Sequence, residues 1–328
     1  MQRTWVRMLL VMSSVILLLG VGSYLIAQDR YVRPGPLKNS KTIIIEKGGS
    51  VAKIASHLLA LDVIDNAVIF RLGVEYDGLS AKLRAGEYSI PAGSNMRSVA
   101  SILASGRTVK RRLTIAEGLL TFQILEAVRV APGLTGEVQS TVLQEGVFLP
   151  ETYFYSYGDS RENLLIRMRH KLRSELTRIW QQRPAGSLLK TPNEALVLAS
   201  IIEKETGRQA ERTHISGVFH NRLRRRMPLQ SDPTVAYSVT LGRSVLKRPL
   251  TKSDLRTTSP FNTYLSRGLP PKPIANPGIA AIRAAVLPMK TSNLYFVADG
   301  TGGHAFAQTL REHNRNVAKW RKSNKKKP

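Results

Sequence analysis

The sequence predicts a protein of the α+β class that begins with a membrane-spanning helix. Three observations support this prediction. Residues 8–27 form a run of twenty residues without a charged side chain. Strand-like runs of β-branched residues alternate with segments of helical periodicity along the rest of the chain. The 328 residues, 42% of them hydrophobic and 22% charged, are enough for two folded domains and a substantial core.

The apolar run at 8–27 is long enough to cross a bilayer as a helix. Arg3 and Arg7 precede it, as in a secretory signal peptide, but the run is long for such a peptide and no clear cleavage site follows. We therefore expect an uncleaved anchor, with residues 1–7 in the cytoplasm and the folded part of the chain outside. Arg30 and Arg33 lie just beyond the run, so the charge rule for orientation is ambiguous here.

A small module is expected directly after the anchor. Residues 28–40 are polar and contain proline and glycine, which is typical of a linker. Strands are predicted near 42–46 and 83–90, with amphipathic helices between and after them. Residues 41–107 therefore form a predicted α+β module of their own.

A larger domain is predicted at 109–320. It contains a long basic helix at 161–182, a second helix at 215–223 and a hairpin turn at 300–304. Six basic residues between Lys319 and Lys327 indicate a disordered basic end to the chain, and the tail is predicted at 321–328.

The most informative segment is the predicted helix that starts at Pro192. Thr191 is a natural N-cap, proline suits the first helical position, and Glu194 completes a capping box. Gly207 is a suitable stop signal. The segment thus carries local signals for both of its ends.

Two carboxylates lie near the end of this helix, but only one shares its apolar face. Glu205 follows Leu198, Ile201 and Ile202 at helical spacing, whereas Glu203 points elsewhere. Apolar neighbours and the negative end of the helix dipole both disfavour a charged carboxylate, so they raise its pKa towards that of a general acid. The alternative is a frayed last turn with Glu205 in water.

The charge balance limits the partners of the chain. Lys and Arg outnumber Asp and Glu by 49 to 23, giving a net charge of +26, which attracts nucleic acid, anionic lipid or acidic polymers. An exported domain would not meet nucleic acid, which argues against that partner. The cluster Arg222 and 224–226 is expected to be a solvated face. With no cysteine and six scattered histidines, neither a disulfide framework nor a metal site is predicted.

Six short motifs resemble those of the YceG-like family of endolytic murein transglycosylases. In order they are LASIIEKET (198–206), VFHNRL (218–223), LQSDPTVAY (229–237), SPFNTY (259–264), GLPPKPIANPG (268–278) and YFVADGTGGHAF (295–306). The resemblance extends from about residue 5 to residue 320, and six ordered motifs make it highly specific. One departure is His220, which stands where an uncharged residue is common.

The resemblance implies a LysM-like fold for the module at 41–107 and a catalytic domain on the periplasmic side of the inner membrane. It also implies cleavage of peptidoglycan between N-acetylmuramic acid and N-acetylglucosamine, without water, to leave a 1,6-anhydromuramic end. The expected partners are peptidoglycan glycan strands, membrane lipid around the helix and, at the wall, peptidoglycan synthases. No cofactor and no metal are expected.

The resemblance places one catalytic glutamate in the EKET segment. Lytic transglycosylases commonly carry Glu followed by Ser or Thr, so Glu205 before Thr206 is the implied acid and Glu203 the reserve. The predicted loops at 229–237 and 259–264 supply candidates for lining a sugar cleft: Gln230, Ser231, Asp232, Thr234, Tyr237, Asn262 and Tyr264. Asp232 before Pro233 is equally suited to capping a turn.

Three other functions compete with this interpretation. A hydrolase would use Asp232 as a second carboxylate that positions water. A non-enzymatic anchor would bind peptidoglycan through the module at 41–107. A nucleic-acid binder would depend on the positive charge alone.

Overall fold

The computed structural model describes residues 2–138 and 144–324, and the chain divides into two compact units. One unit holds the chain up to Arg111 together with 155–158, and the other holds 112–154 and the chain from Asp159. Helices and short antiparallel strands occur in both. The predicted α+β class is confirmed, as is an N-terminal helix apolar enough to cross a membrane.

That helix, α1 (Gln2–Val32), contains a candidate membrane span at Leu10–Val32. Its most apolar stretch is not buried inside the protein, whereas Tyr31 near its end is buried. The predicted linker at 28–40 therefore begins inside a helix. The last residue of α1 and the residue after it are both bonded to the folded module. Asn95 Nδ2 donates to the Val32 carbonyl (2.8 Å), and Arg33 pairs with Asp65 (2.7 Å). These contacts fix the end of α1 to the folded module.

The module in the first unit is built on one pair of strands. β1 (Lys41–Ile45) and β2 (Gly86–Ile90) pair antiparallel, with Lys41 opposite Ile90. Helices α2 (Val51–Ala60) and α3 (Ala67–Tyr76) lie between the strands in sequence, and α4 (Met96–Ser105) follows. The side chains of Ser50, Asn66 and Asn95 cap these helices by accepting from backbone N–H groups of the first turn.

The second unit holds the remaining elements, except that Arg111 at the start of β3 and Tyr155 at the end of β4 belong to the first unit. These are β3 (Arg111–Thr114), α5 (Thr121–Arg129), β4 (Thr152–Tyr155), α6 (Arg161–Trp180), α7 (Pro192–Glu205), α8 (Arg212–Arg224), α9 (Asp232–Thr240), α10 (Ile279–Val286), β5 (Tyr295–Ala298), β6 (His304–Ala307) and α11 (Leu310–Asn324), with 3₁₀ turns at Gln209–Glu211 and Asp254–Arg256. β3 pairs with β4, and β5 with β6. The predicted tail at 321–328 begins inside α11, and residues 325–328 lie outside the described residues.

Helix α7 is the centre of this unit. It packs against α6, α8, α9 and α10, and all eight residues from Ala195 to Ile202 are buried. A helix that is apolar all round belongs in a core, which explains the run of small and aliphatic residues. Thr191 Oγ1 accepts from Glu194 N (3.1 Å), as the sequence predicts, but the helix ends at Glu205 and Thr206 is already extended.

Helix α9 is the main difference from the sequence prediction, which placed a loop at 229–237. The helix begins at Asp232 and Pro233, with Ser231 at the N-cap position. Proline in the first turn and an acidic residue at a helix start are standard helix signals. The mixture of polar and aromatic residues at 229–237 favoured a loop over a helix in the sequence prediction.

Candidate active site

Glu205 is the last residue of α7, and its carboxylate is held by the segment that precedes α9. The hydroxyl of Ser231 donates a hydrogen bond to Oε1 of Glu205. Glu205 is partly buried, and Ser231 is almost wholly so. The alternative of a frayed last turn with a solvated carboxylate is therefore wrong.

The pKa of Glu205 is raised from 4.5 to about 7. Burial is the main cause, and the negative charge of Asp232 adds to it. The hydrogen bond from Ser231 and the positive charge of Arg222 act in the opposite direction, because both favour the ionised form. A carboxyl with this pKa is present in both protonation states near neutral pH, which suits a group that must donate and then accept a proton.

Glu203 occupies a different environment. Its Oε1 accepts from Arg212 (2.8 Å) and its Oε2 accepts from the backbone N–H of Gly278 (2.9 Å). Arg212 also bonds Glu117 (3.1 Å), and a Cβ at position 278 would lie only 1.7 Å from Oε1 of Glu117. Burial raises the pKa of Glu203 as well, but both of its oxygens have protein partners. We assign Glu203 to this structural cluster.

Arg222 was expected on a solvated face, and the structure corrects this. Its side chain is buried and donates to the carbonyl oxygens of Leu294 (2.6 Å) and Leu229 (2.8 Å), and to Oε1 of Gln230 (3.2 Å). Gln230 itself has a left-handed backbone conformation, with φ of 52°. The guanidinium therefore fixes the strained segment that leads into Ser231.

Two of the predicted cleft residues form a pair at the start of α9. Asp232 is exposed, and its Oδ1 accepts a hydrogen bond of 2.6 Å from the hydroxyl of Tyr264. Burial and this contact with Asp232 raise the pKa of Tyr264 above its usual value. The tyrosine therefore stays protonated and keeps donating to the carboxylate.

Thr234 and Asn262 are fully buried and bond to the protein itself. Thr234 Oγ1 donates to the Ser231 carbonyl (2.6 Å), and Asn262 Nδ2 donates to the carbonyls of Leu255 (3.1 Å) and Thr257 (2.9 Å). These two side chains hold the loops in place rather than reach into a cleft.

A groove of about 590 Å³ lies beside these residues. Its lining includes Asp232 and Tyr237 from α9 and Lys204, the residue before Glu205. The Tyr237 ring packs on Phe261 at 4.9 Å between centroids. The rest of the lining is mainly apolar and comprises Leu120, Gln123, Pro233, Ala236, Thr240, Ser244, Val245, Leu246, Pro249, Leu250 and Ile274.

Two features near the site were missed from the sequence. His304 Nδ1 lies 2.7 Å from Oε2 of Glu211, which also accepts from the hydroxyl of Thr206 at 3.4 Å, so β6 is joined to the end of α7. Glu145 is a second buried carboxyl that accepts from Thr121 N (2.8 Å), and burial raises its pKa to about 7. A lone Glu in a loop carries no sequence signal for burial.

Within residues 2–138 and 144–324, His, Cys, Asp and Glu side chains form no group of three or more that could hold a metal ion.

Comparison with known proteins gives these residues a family context. The model of the YceG-like family matches residues 43–319. The endolytic murein transglycosylase of Bacillus subtilis is 33% identical over 316 residues, which cover 86% of this chain and 86% of that protein. The protein of the same name from Streptococcus pneumoniae is 31% identical, and the match covers 85% of this chain but only 59% of the pneumococcal protein. The 2.6 Å crystal structure of a YceG-like protein from Listeria monocytogenes has a TM-score of 0.52 and 30% identity, over 85% of this chain and 99% of the Listeria chain.

Proposed function

The chain belongs to the YceG-like family, and from this premise we propose that it is a membrane-anchored lytic transglycosylase acting on peptidoglycan. The bond cleaved is the one between N-acetylmuramic acid and N-acetylglucosamine, and the product carries a 1,6-anhydromuramic end. Support comes from relatives named endolytic murein transglycosylases at 31–33% identity over most of the chain and from the environment of Glu205.

In the first step Glu205 acts as the general acid. Its protonated carboxyl gives a proton to the bridging glycosidic oxygen, and the bond from that oxygen to C1 of the muramic sugar breaks. The N-acetylglucosamine side leaves as an alcohol, and positive charge develops at C1, where the 2-acetamido group of the same sugar can stabilise it. The raised pKa of Glu205 keeps enough of the acid form available near neutral pH.

In the second step the same residue acts as the base. The glutamate formed in the first step takes the proton of the C6 hydroxyl while O6 attacks C1, which closes the anhydro ring. The proton returns to Glu205, and no water is consumed. One carboxyl therefore does the work that most glycosidases divide between two.

The groups around Glu205 have separate roles in this mechanism. Ser231 orients the carboxyl through its hydrogen bond. Asp232, held by Tyr264, places a negative charge near the cation that develops at C1. Tyr237 and Gln230 are proposed sugar contacts, and the former lines the groove. Thr234 and Asn262 are positioning residues.

We further propose a cellular location and a role for each part of the chain. Residues 8–27 anchor the chain in the inner membrane, residues 1–7 stay in the cytoplasm, and the catalytic domain at 109–320 acts in the periplasm. The module at 41–107 is LysM-like and binds glycan. An anchored enzyme of this kind would cut nascent strands beside the synthases that polymerise them, and thereby end glycan elongation.

The observation that carries the proposal is the partly buried carboxyl of Glu205 at the end of α7, hydrogen-bonded to Ser231. The test is digestion of purified glycan strands by the full-length protein, with products identified by mass spectrometry. Anhydro ends lack the mass of one water. Glu205→Gln should remain folded but release no anhydro products, whereas the matched change Glu203→Gln should retain them. Loss of activity in the Glu203 variant alone would reverse the assignment.

A second candidate function is hydrolysis, which is favoured by one observation: the exposed carboxylate of Asp232 lies close enough to influence the pKa of Glu205. A hydrolase would release reducing ends that contain the additional water. If the protein releases neither product, it is a non-enzymatic anchor that binds peptidoglycan through the module at 41–107.

A further inference from the structure

An apolar stripe on α3 stays exposed on the first unit. Val68, Leu72 and Tyr76 are four residues apart, so they share one face of the helix, and they are 61%, 57% and 70% exposed. Phe70 and Val74, on another face, are buried in the core of the module. Large apolar side chains grouped at a surface indicate a contact site.

This stripe is continuous with the N-terminal helix. The ring of Tyr31 lies so close to α3 that a Cβ at Gly73 would come within 2.3 Å of it. Tyr24 and Tyr76 meet edge to face, with 6.4 Å between ring centroids. The hydroxyl of Tyr31 also donates to Asp77 (3.1 Å). Helices α1 and α3 are therefore a packed pair.

These contacts determine how deep α3 would lie relative to a membrane. The candidate span Leu10–Val32 has 23 residues, or about 34 Å of helix, against about 30 Å of hydrocarbon. Tyr24 lies within the span, seven residues before Tyr31, or about 10 Å further into it. A side chain in contact with Tyr24 lies at the same depth, which places Tyr76 beside the hydrocarbon part of the span rather than in water.

A groove of about 400 Å³ lies between α1 and α3. Leu72 and Tyr76 belong to both the stripe and the groove, and the other apolar lining includes Tyr24, Ala27, Tyr31 and Ile69. A groove at this depth faces acyl chains rather than water.

We propose that the stripe Val68, Leu72 and Tyr76 inserts into the bilayer leaflet next to the folded module, so that lipid acyl chains cover it and fill the groove beside α1. This inference rests on the proposed membrane anchor. Charges nearby are mixed, since exposed Arg71 has exposed Glu75 on the same helix. Burial of apolar surface therefore drives the contact, which should persist at high salt and in lipid without net charge.

The test uses the absence of cysteine from the chain. A nitroxide label is placed on single cysteines, one at a time, in the full-length protein in phosphatidylcholine nanodiscs. Collision of the label with oxygen, which dissolves in lipid, is compared with collision with a water-soluble nickel chelate. Leu72→Cys and Tyr76→Cys report on the stripe, and both positions are exposed, so the fold tolerates the label. Leu18→Cys in the span reports on the anchor, and Lys53→Cys, at an exposed position of α2, reports on water.

The ratio of oxygen to nickel collisions is expected to fall in the order Leu18, Tyr76, Leu72, Lys53, at low and at high salt. If the Leu18 label is in lipid while the labels at 72 and 76 match the one at 53, the stripe faces water and the inference is overturned, although the anchor stands. Shielding of 72 and 76 from both reagents would mean a protein partner and would also overturn it. Nickel access at Leu18 would refute the anchor and the inference together.

Discussion

Ser231 and Glu205 are joined by a hydrogen bond from the serine hydroxyl to Oε1 of the carboxylate, although 26 residues separate them in sequence. The bond favours the ionised carboxylate, while burial favours the protonated one. The protonation state of the proposed acid is therefore set by two opposing effects in one small site.

The first prediction concerns the pH dependence of the wild-type enzyme. Because a general acid works only when protonated, kcat/KM should fall as the pH rises through about 7, the raised pKa of Glu205. At the ordinary pKa of 4.5, fewer than about 1% of the carboxyls would be protonated at pH 7. The rate of anhydro product release, measured across pH on purified glycan, checks this. A decline centred near 4.5 would contradict it.

Replacing Ser231, the hydrogen-bond donor to Glu205, should move the fall in kcat/KM to higher pH. In Ser231→Ala the ionised form of Glu205 loses its donor, so its pKa rises and the alkaline fall in kcat/KM shifts to higher pH. Ser238→Ala is the matched control, because Ser238 is also a buried serine but lies within α9 and bonds to the Thr234 carbonyl instead. Equal profiles for the two variants would show that the bond does not set the pKa.

Removing the negative charge of Asp232 should move the fall in kcat/KM to lower pH. Asp232→Asn takes away a charge that raises the pKa of Glu205, so activity should fall at lower pH than in the wild type. Tyr264→Phe removes the hydrogen bond to Asp232 but leaves the charge, and should shift the profile much less. Asp232→Asn should still yield anhydro ends. If Asp232→Asn abolishes all cleavage, and if the wild-type products contain the additional water, the protein is a hydrolase instead.

Arg222 should matter for both stability and activity. Arg222→Gln leaves the carbonyls of Leu294 and Leu229 without their buried donor, at a cost on the order of 3 kcal/mol. It also releases the segment that carries Ser231. Arg224→Gln is the control, because that arginine is exposed on the same helix and bonds only Asn221 among the hydrogen bonds described. Arg222→Gln should melt at a lower temperature and release less product than Arg224→Gln. Equal melting temperatures would contradict the role of Arg222.

The contrast between Glu205 and Arg222 shows what the sequence could predict. The start of α7 and the apolar neighbours of Glu205 depend on residues within three turns of each other, so caps and periodicity predict them. The partners of Arg222 lie up to 72 residues away, and no local pattern reports a contact of that kind. Its basic neighbours made it resemble a solvated residue.

Ser231 was a candidate from the resemblance, but its bond to Glu205 needed the fold. The N-terminal signal of α9, Asp232 followed by Pro233, was present in the sequence and was interpreted as a loop. Thr234 and Asn262 were expected in the cleft because polar residues in loops suit sugars. Both instead bond to nearby backbone, and side-chain burial of that kind cannot be read from residue type.

The last prediction concerns the buried carboxyl of Glu145 and the pH dependence of stability. Its native pKa is raised from 4.5 to about 7 by burial, so between these values the native state binds a proton that the unfolded state has lost. The stability linked to this group is complete below pH 4.5 and is lost as the pH rises through about 7. The shift corresponds to roughly 3 kcal/mol.

Glu145→Gln should therefore raise the melting temperature most above pH 7 and least near pH 5. The amide oxygen of glutamine can still accept from Thr121 N and from Asn276, which the carboxylate does at 2.8 and 3.1 Å. Glu126→Gln, on the exposed side of α5, is the matched control and should leave the pH slope in place, because Glu145 is unchanged there. Melting curves of the full-length protein in detergent from pH 5 to 8 give the slope. If the Glu145 variant keeps the wild-type slope, the carboxyl is not protonated in the native state at neutral pH.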